Sequence, residues 1–381
     1  MKKLKISLIG TGHAGVDFHL PGLSTFKDID LSICDINEKL LHAAGNRFGI
    51  PAGKRYSDYR EMYRRENPSA VMIMMAQYPT VMENDRCQVV ASTRSRDAYF
   101  KIVGDALRQK KHVMVEKPLA MTPREALPLV RAAEKAGTVT MVSENRRFNP
   151  LVQYCLEKVR ARGPVLNTSC HFYKCEPQRH KVRMKNGRER WLEDSKTDWL
   201  TGDMIHALYL MRHIGGGEII DFSPSMGAIA GDKVPTAFHA LARFANGATG
   251  LFSSNVRAGA RRELWEIHGA GISAYIEGVP YGTNAYGAET MPKDMDARAM
   301  RACIYADNDF ARPEVVYDFQ AAGTNNYQVC AGFTGADRHF LDCVRKNKQP
   351  SCNFADAYKT LCLCEKILEG RLMKIKRPSA G

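Results

Sequence analysis

Long apolar runs are the first thing this sequence lacks. No stretch of it approaches the roughly 18 consecutive apolar residues that a membrane-spanning helix needs, so neither a spanning helix nor a membrane partner is expected. The basic start Lys2-Lys3-Leu4-Lys5 imitates a secretory leader, but the apolar stretch behind it stops at Gly10 and no twin-arginine motif follows. A cytoplasmic protein is the expectation. Cys-x-x-Cys pairs are missing too. The eleven cysteines are odd in number and scattered, which argues against a disulfide framework. Cys362 and Cys364 read as packed thiols. No His, Cys and carboxylate grouping has ligand spacing, so no metal is expected. Helix-turn-helix, zinc-finger and aromatic-strand signatures are absent, which leaves nucleic acid out as a partner. Internal repeats and low-complexity tracts are absent as well.

What is present describes a globular chain. It has 381 residues, 44% of them hydrophobic and 25% charged, which fits two domains with ordinary cores. Lys plus Arg exceed Asp plus Glu by 55 − 41 = 14. The densest basic cluster is Arg179, Lys181, Arg183, Lys185, Arg188 and Arg190, near His180. It reads either as a solvated loop or as a contact to an acidic ligand or a partner subunit.

Strand and helix signals alternate over the first 145 or so residues. Strands are expected at 5–9, 29–34, 70–75, 112–115 and 138–142, with helices at 13–23, 37–48 and 122–135. Asn37 is an expected N-cap, and Thr122-Pro-Arg-Glu125 reads as a capping box with proline at the first helical position. Such alternation builds a parallel sheet covered on both faces. After Pro150 the pattern changes to a helix at 151–161 and hairpin-linked strands at 165–173, 236–244, 249–256 and 264–268, with an Asn246-Gly247 turn. A closing helix is expected at about 355–368, and residues 289–313 read as loop-rich. The fold class is therefore an α/β N-terminal Rossmann domain, residues 1–147, with an α+β C-terminal domain, 148–381, around an open, mostly antiparallel sheet.

Gly10-Thr-Gly12-His13-Ala14-Gly15 fits G-x-G-x-x-G and sits between a strand and a helix, the context that gives the motif meaning. Gly10 permits the tight turn, Gly12 lets backbone approach a pyrophosphate, and Gly15 lets helix and strand pack closely. His13 and Ala14 open the helix whose N-terminus would face the phosphates. Asp35 ends the second strand, twenty residues after Gly15, where a carboxylate binds an adenosine ribose. A 2′-phosphate would meet a negative charge there, so NAD is expected over NADP. Glu116-Lys117-Pro118 ends the fourth strand, and ligands of open parallel sheets sit at that end. The peptide bond before Pro118 is a candidate for cis.

The glycine motif, Asp35, the run Lys111-His-Val-Met-Val-Glu-Lys-Pro118 and Asn145-Arg-Arg-Phe-Asn-Pro150 together resemble the glucose–fructose oxidoreductase / inositol dehydrogenase (Gfo/Idh/MocA) family over nearly the whole chain. The resemblance implies an NAD(P)-dependent oxidoreductase acting on sugars, cyclitols or related polyols, with a substrate-binding and oligomerising C-terminal domain. It implies that Glu116 and Lys117 lie at the coenzyme, and that Lys117 holds the reacting hydroxyl. It also implies that His206, in Gly202-Asp203-Met-Ile-His206, is the acid–base residue. Asp203 lies three residues earlier, on the same helical face, and would orient His206 or bind substrate. Asn145 and Arg146 are expected at the substrate. The family's Thr-Pro after the third strand is replaced by Met75-Ala-Gln-Tyr-Pro79, and residues 80–96 read as an insertion, either a lid or a surface excursion. A homo-dimer or homo-tetramer is expected from an open sheet face. Two alternatives remain at this stage: a non-catalytic NAD- and sugar-binding regulator, and an NAD-dependent glycoside hydrolase with no net redox change.

Overall fold

In a computed structural model, residues 3–75, 80–83, 86–89, 93–175, 181–183, 189–191, 198–229, 235–278, 300–370 and 372–375 are described. The chain divides into two compact units: Met1–Thr80, Val90–Asn145 and Gly332–Lys359 form one, and Val81–Val89, Arg146–Ala331 and Thr360–Gly381 the other.

Strands β1 (Leu4–Ile9), β2 (Ile29–Cys34), β3 (Arg55–Tyr56) and β4 (Ala70–Ile73) precede a two-stranded hairpin, β5 (Thr80–Glu83) and β6 (Arg86–Val89). β7 (His112–Glu116) and β8 (Thr140–Ser143) follow. The first unit's sheet runs β3-β2-β1-β4-β7-β8 and every described pairing in it is parallel. This is a Rossmann sheet. Its centre is β4, whose four residues are all fully buried, as an unbroken apolar run requires when helices cover both faces. Asn37 caps its helix by accepting the Leu40 N–H at 3.2 Å. Thr122 likewise accepts the Glu125 N–H at 3.4 Å. Glu125 reaches back to the Met121 N–H at 3.2 Å, one residue before the cap that the capping-box pattern designates.

Two features depart from the expectation. Residues 13–23 do not form one α-helix: a π-helical turn, Ala14–His19, runs into a short α-helix, Leu20–Leu23. Pro21 has no N–H to donate to the Asp17 carbonyl, so the α-type ladder cannot run through it. The second departure concerns Gly332–Lys359, which returns to the first unit although residues 148–381 were expected to stay together. Its reason is the edge of the sheet. β8 is an edge strand, and an open edge exposes N–H and C=O groups. Cys352 O accepts the Val142 N–H at 3.0 Å. Gln349 accepts the Thr140 N–H at 3.1 Å and donates to Thr138 O at 2.6 Å.

The second unit is built on β9 (Asn167–Cys175), β12 (Ile219–Ile229), β13 (Ala237–Phe244), β14 (Thr249–Asn255), β15 (Arg257–Gly269), β16 (Ile272–Gly278), β17 (Arg301–Ala306), β18 (Glu314–Tyr317) and β19 (Leu372–Ile375). A separate hairpin pairs β10 (Lys181–Arg183) with β11 (Glu189–Trp191). The nine-stranded sheet runs β18-β17-β16-β15-β9-β14-β13-β12-β19. Its pairings are antiparallel except β9 with β14 and β12 with β19. Helices Pro150–Arg160 and Ile205–Gly215 belong to this unit. Leu208, Phe172, Phe252 and Trp265 are buried in its core. The strands alternate buried and accessible positions, and Leu241, Tyr275 and Val315 are exposed. Asn246-Gly247 makes the expected turn, with Gly247 at φ +90°. Within the stretch expected to be loop-rich, 289–299 lie outside the described residues, whereas 301–306 form β17. No helix among the described residues is long and apolar enough to cross a membrane.

Candidate functional site

The glycine loop closes β1 onto the π turn. Gly10 sits at φ +99°, and a Cβ there would meet Met74 O at 2.8 Å. A Cβ on Gly15 would come within 2.1 Å of Gly10 O, so only glycine lets the turn lie against the strand end. A Cβ on Gly12 would meet nothing within 4 Å. The constraint at Gly12 is therefore not the protein's own packing, which fits a position kept clear for a ligand. His13 is half exposed and bonds Asp17 at 2.6 Å.

Asp35 stands at the end of β2. Its Oδ2 accepts from the Thr11 N–H at 2.7 Å and the Thr11 hydroxyl at 3.0 Å, and its Oδ1 accepts the Asn37 N–H at 2.8 Å. The acid is thus fixed against the glycine loop. Loop, open approach at Gly12 and fixed carboxylate make a donor set that fits a dinucleotide.

Glu116 ends β7, Lys117 follows it, and the Lys117–Pro118 bond is cis. Glu116 Oε1 bonds His19 Nε2 at 2.8 Å, and Oε2 accepts the Lys117 N–H at 3.2 Å. The other imidazole nitrogen, Nδ1, lies 2.6 Å from Asp337 Oδ1. His19 and Asp337 are fully buried. Burial alone would strip His19 of its proton, but attraction and hydrogen bonding from Asp337, then Glu116, push its pKa up to about 10. Burial raises the Glu116 pKa, yet the His19 hydrogen bond and charge outweigh it and hold the carboxyl below its ordinary value. At Asp337 burial wins and the pKa goes up. Neither His19 nor Asp337 was singled out in the sequence. They stand 318 positions apart, and no local signal joins them.

The second unit carries the other set. Asp203 belongs to a π-helical segment, Asp198–Met204, and His206 to the α-helix Ile205–Gly215 that follows. The α-helical spacing invoked for the pair therefore does not apply, because a π turn bonds five residues ahead instead of four. The Asp203 carboxylate accepts from Lys174 Nζ on β9, a lysine only 5% exposed that the motifs did not flag. His206 is buried, at 5% exposure.

Asn145 is buried at the start of a short 3-10 turn, Asn145–Phe148. Arg146, expected at the substrate, makes a bidentate pair with Glu263, at 2.6 and 2.5 Å. The two side chains are 2% and 0% exposed, so its guanidinium serves the interior of the second unit. Residues 76–79, half of the basic cluster (179, 185 and 188) with the neighbouring 180, and parts of the 80–96 insertion (84, 85 and 90–92) lie outside the described residues. Among the described residues no group of three or more His, Cys, Asp or Glu side chains could hold a metal.

The family described as "Oxidoreductase family, NAD-binding Rossmann fold" matches residues 4–144, and the "GFO/IDH/MocA C-terminal domain" matches residues 160–274. D-apiose dehydrogenase from Paraburkholderia graminis is 26% identical, over 99% of this chain and 91% of that one. Myo-inositol 2-dehydrogenase from Thermotoga maritima is 25% identical, over 67% of this chain and 69% of that one. Among solved structures, an oxidoreductase from Agrobacterium radiobacter in complex with NAD+, L-tartaric acid and magnesium shares the fold. It has a TM-score of 0.66 and 19% identity, over 97% of this chain and 96% of that one. A glycine loop that fits a dinucleotide, a Glu-Lys-Pro strand end and both family matches lead to one assignment: the chain is an oxidoreductase of the Gfo/Idh/MocA family, with an NAD-binding Rossmann domain and that family's C-terminal domain.

Proposed function

We propose that this enzyme moves a hydride between a secondary alcohol of a sugar, cyclitol or related polyol and NAD. The observation that carries the reading is Lys117 at the carboxyl end of β7, in the sheet whose glycine loop fits a dinucleotide. The names of the relatives, a D-apiose dehydrogenase and a myo-inositol dehydrogenase, support the substrate class.

The glycine loop and Asp35 would hold the dinucleotide, whose nicotinamide would supply the hydride acceptor. The remaining work falls to side chains. His206 takes the hydroxyl proton as the hydride leaves the carbon, and returns it in the reverse direction. Lys117 holds the same oxygen with its ammonium group and stabilises the negative charge that develops there. Asp203, held by Lys174, orients the substrate or His206. Asn145 is kept as a substrate contact. Asp35 favours NAD over NADP, because its carboxylate would repel a 2′-phosphate. The exposed apolar positions of the large sheet, Leu241, Tyr275 and Val315, support a homo-dimer or homo-tetramer.

The test is NADH formation with a panel of polyols and sugars, by wild type and by Lys117→Ala and His206→Ala. Each variant loses roughly a hundredfold or more in turnover while still binding NAD. Near-normal rates in both reject the assignment.

A further inference from the structure

Three ionisable groups lie out of water in the first unit: His19 and Asp337 fully buried, Glu116 with 12% of its side chain exposed. Stability alone gives no reason for them, since well-packed apolar residues in place of a buried ionic triad are often as stable or more so. The geometry is nevertheless closed. Each imidazole nitrogen faces one carboxylate oxygen, at 2.8 and 2.6 Å, and an imidazole can donate from both nitrogens only when it is protonated.

What the triad joins is specific. His19 ends the π turn that begins at the glycine loop. Asp337 lies on helix Phe333–Lys346, in the segment that returns to cover β8. Glu116 is the last residue of β7, and its second carboxylate oxygen accepts the backbone N–H of Lys117 at 3.2 Å. The chain His19–Glu116–Lys117 thus runs from the end of the nucleotide-loop helix to the lysine.

We propose that His19 is a positioning residue: bridging Asp337 and Glu116, it fixes the Glu116 carboxylate and thereby the Lys117 backbone relative to the glycine loop. The inference rests on the role given to Lys117 under Proposed function. A group that merely fills space would lower the fraction of folded enzyme, and its loss would multiply with any other defect. A group that acts through Lys117 loses its effect once Lys117 is gone.

The experiment is a double-mutant cycle with His19→Gln and Lys117→Ala, each kcat normalised to coenzyme-binding sites titrated with NADH. His19→Gln lowers kcat at least about tenfold in the wild-type background, as a small misplacement of a reacting group does. In the Lys117→Ala background it costs less than about twofold. If His19→Gln does not fold, Asp337→Asn keeps the side-chain volume and enters the same cycle, with a smaller kcat loss that again vanishes with Lys117. An unchanged kcat per site, or an equal loss in both backgrounds, overturns the clamp while leaving the function intact. A Lys117→Ala enzyme of normal rate overturns the role given to Lys117 under Proposed function, and the clamp with it.

Discussion

His19 in the first unit and His213 in the second are both drawn away from water, and their protonation runs in opposite directions. Desolvation opposes the charged form in each. At His19, Asp337 and Glu116 overrule it and the pKa rises to about 10. At His213, desolvation is reinforced by the positive charges of Arg147 and Arg160, and the pKa falls to about 3. Burial therefore fixes how strongly partners are felt, and the sign of the partners fixes the outcome. The same contrast separates the two units more widely. Under the proposed function the first offers backbone to the coenzyme, through a glycine loop, and the proposed clamp secures its lysine with buried charge. The second offers side chains, His206 and Asp203, and it buries an ion pair, Arg146 with Glu263.

Breaking that pair should have the largest effect. Glu263→Ala removes the carboxylate that accepts two hydrogen bonds from the buried Arg146 guanidinium and costs roughly 3–5 kcal/mol of stability. The apolar pair Arg146→Met with Glu263→Leu costs clearly less. Denaturant unfolding of the three variants checks this, and a double variant as unstable as Glu263→Ala contradicts it.

The glycine loop gives the next largest effect and separates packing from binding. Gly15→Ala places a methyl against Gly10 O, and lowers both thermal stability and coenzyme affinity. Gly12→Ala meets no protein atom within 4 Å, so its melting temperature stays put while NADH binds about tenfold more weakly, a difference of about 1.4 kcal/mol. Calorimetric titration alongside thermal melts distinguishes the two.

The histidines predict opposite limbs of a stability–pH curve. His19 has a folded pKa above its ordinary 6.5, so its stabilisation is complete below pH 6.5 and is lost as pH climbs through about 10. His213 has a folded pKa below 6.5, so its stabilisation is complete above pH 6.5 and is lost as pH falls through about 3. In melting curves across that range, His19→Gln flattens the alkaline limb and His213→Gln the acid limb. A variant that flattens the other limb breaks the comparison. The smallest effect is expected of Lys174→Met, which releases Asp203 and lowers kcat by about threefold to tenfold, with the KM for NAD unchanged. Steady-state kinetics with NAD as the varied substrate reads both values.

How much of this was legible in the sequence follows the same divide. The glycine loop, Asp35 and the caps at Asn37 and Thr122 were readable because their partners lie close in the chain or in a motif of fixed spacing. The sheets were readable from unbroken apolarity in β4 and alternation in β13. The π turns at 14–19 and 198–204 were not, because residue spacing alone does not separate them from α-helix. β17 was missed although Ala302 and Ile304 are buried at alternate positions; small side chains made the period faint. The Arg146–Glu263 pair is not legible, because the two residues stand 117 positions apart and no local signal joins them. Asp337 and the return of 332–359 to cover β8 were hidden for the same reason.

The most direct test of the central claim follows one hydrogen. A polyol that the enzyme turns over is deuterated at its reacting carbon, and the coenzyme and products are analysed by mass spectrometry. The deuterium should appear in the reduced coenzyme in proportion to ketone formed. Deuterium that stays in the product, or passes to water while no reduced coenzyme accumulates, would contradict that claim.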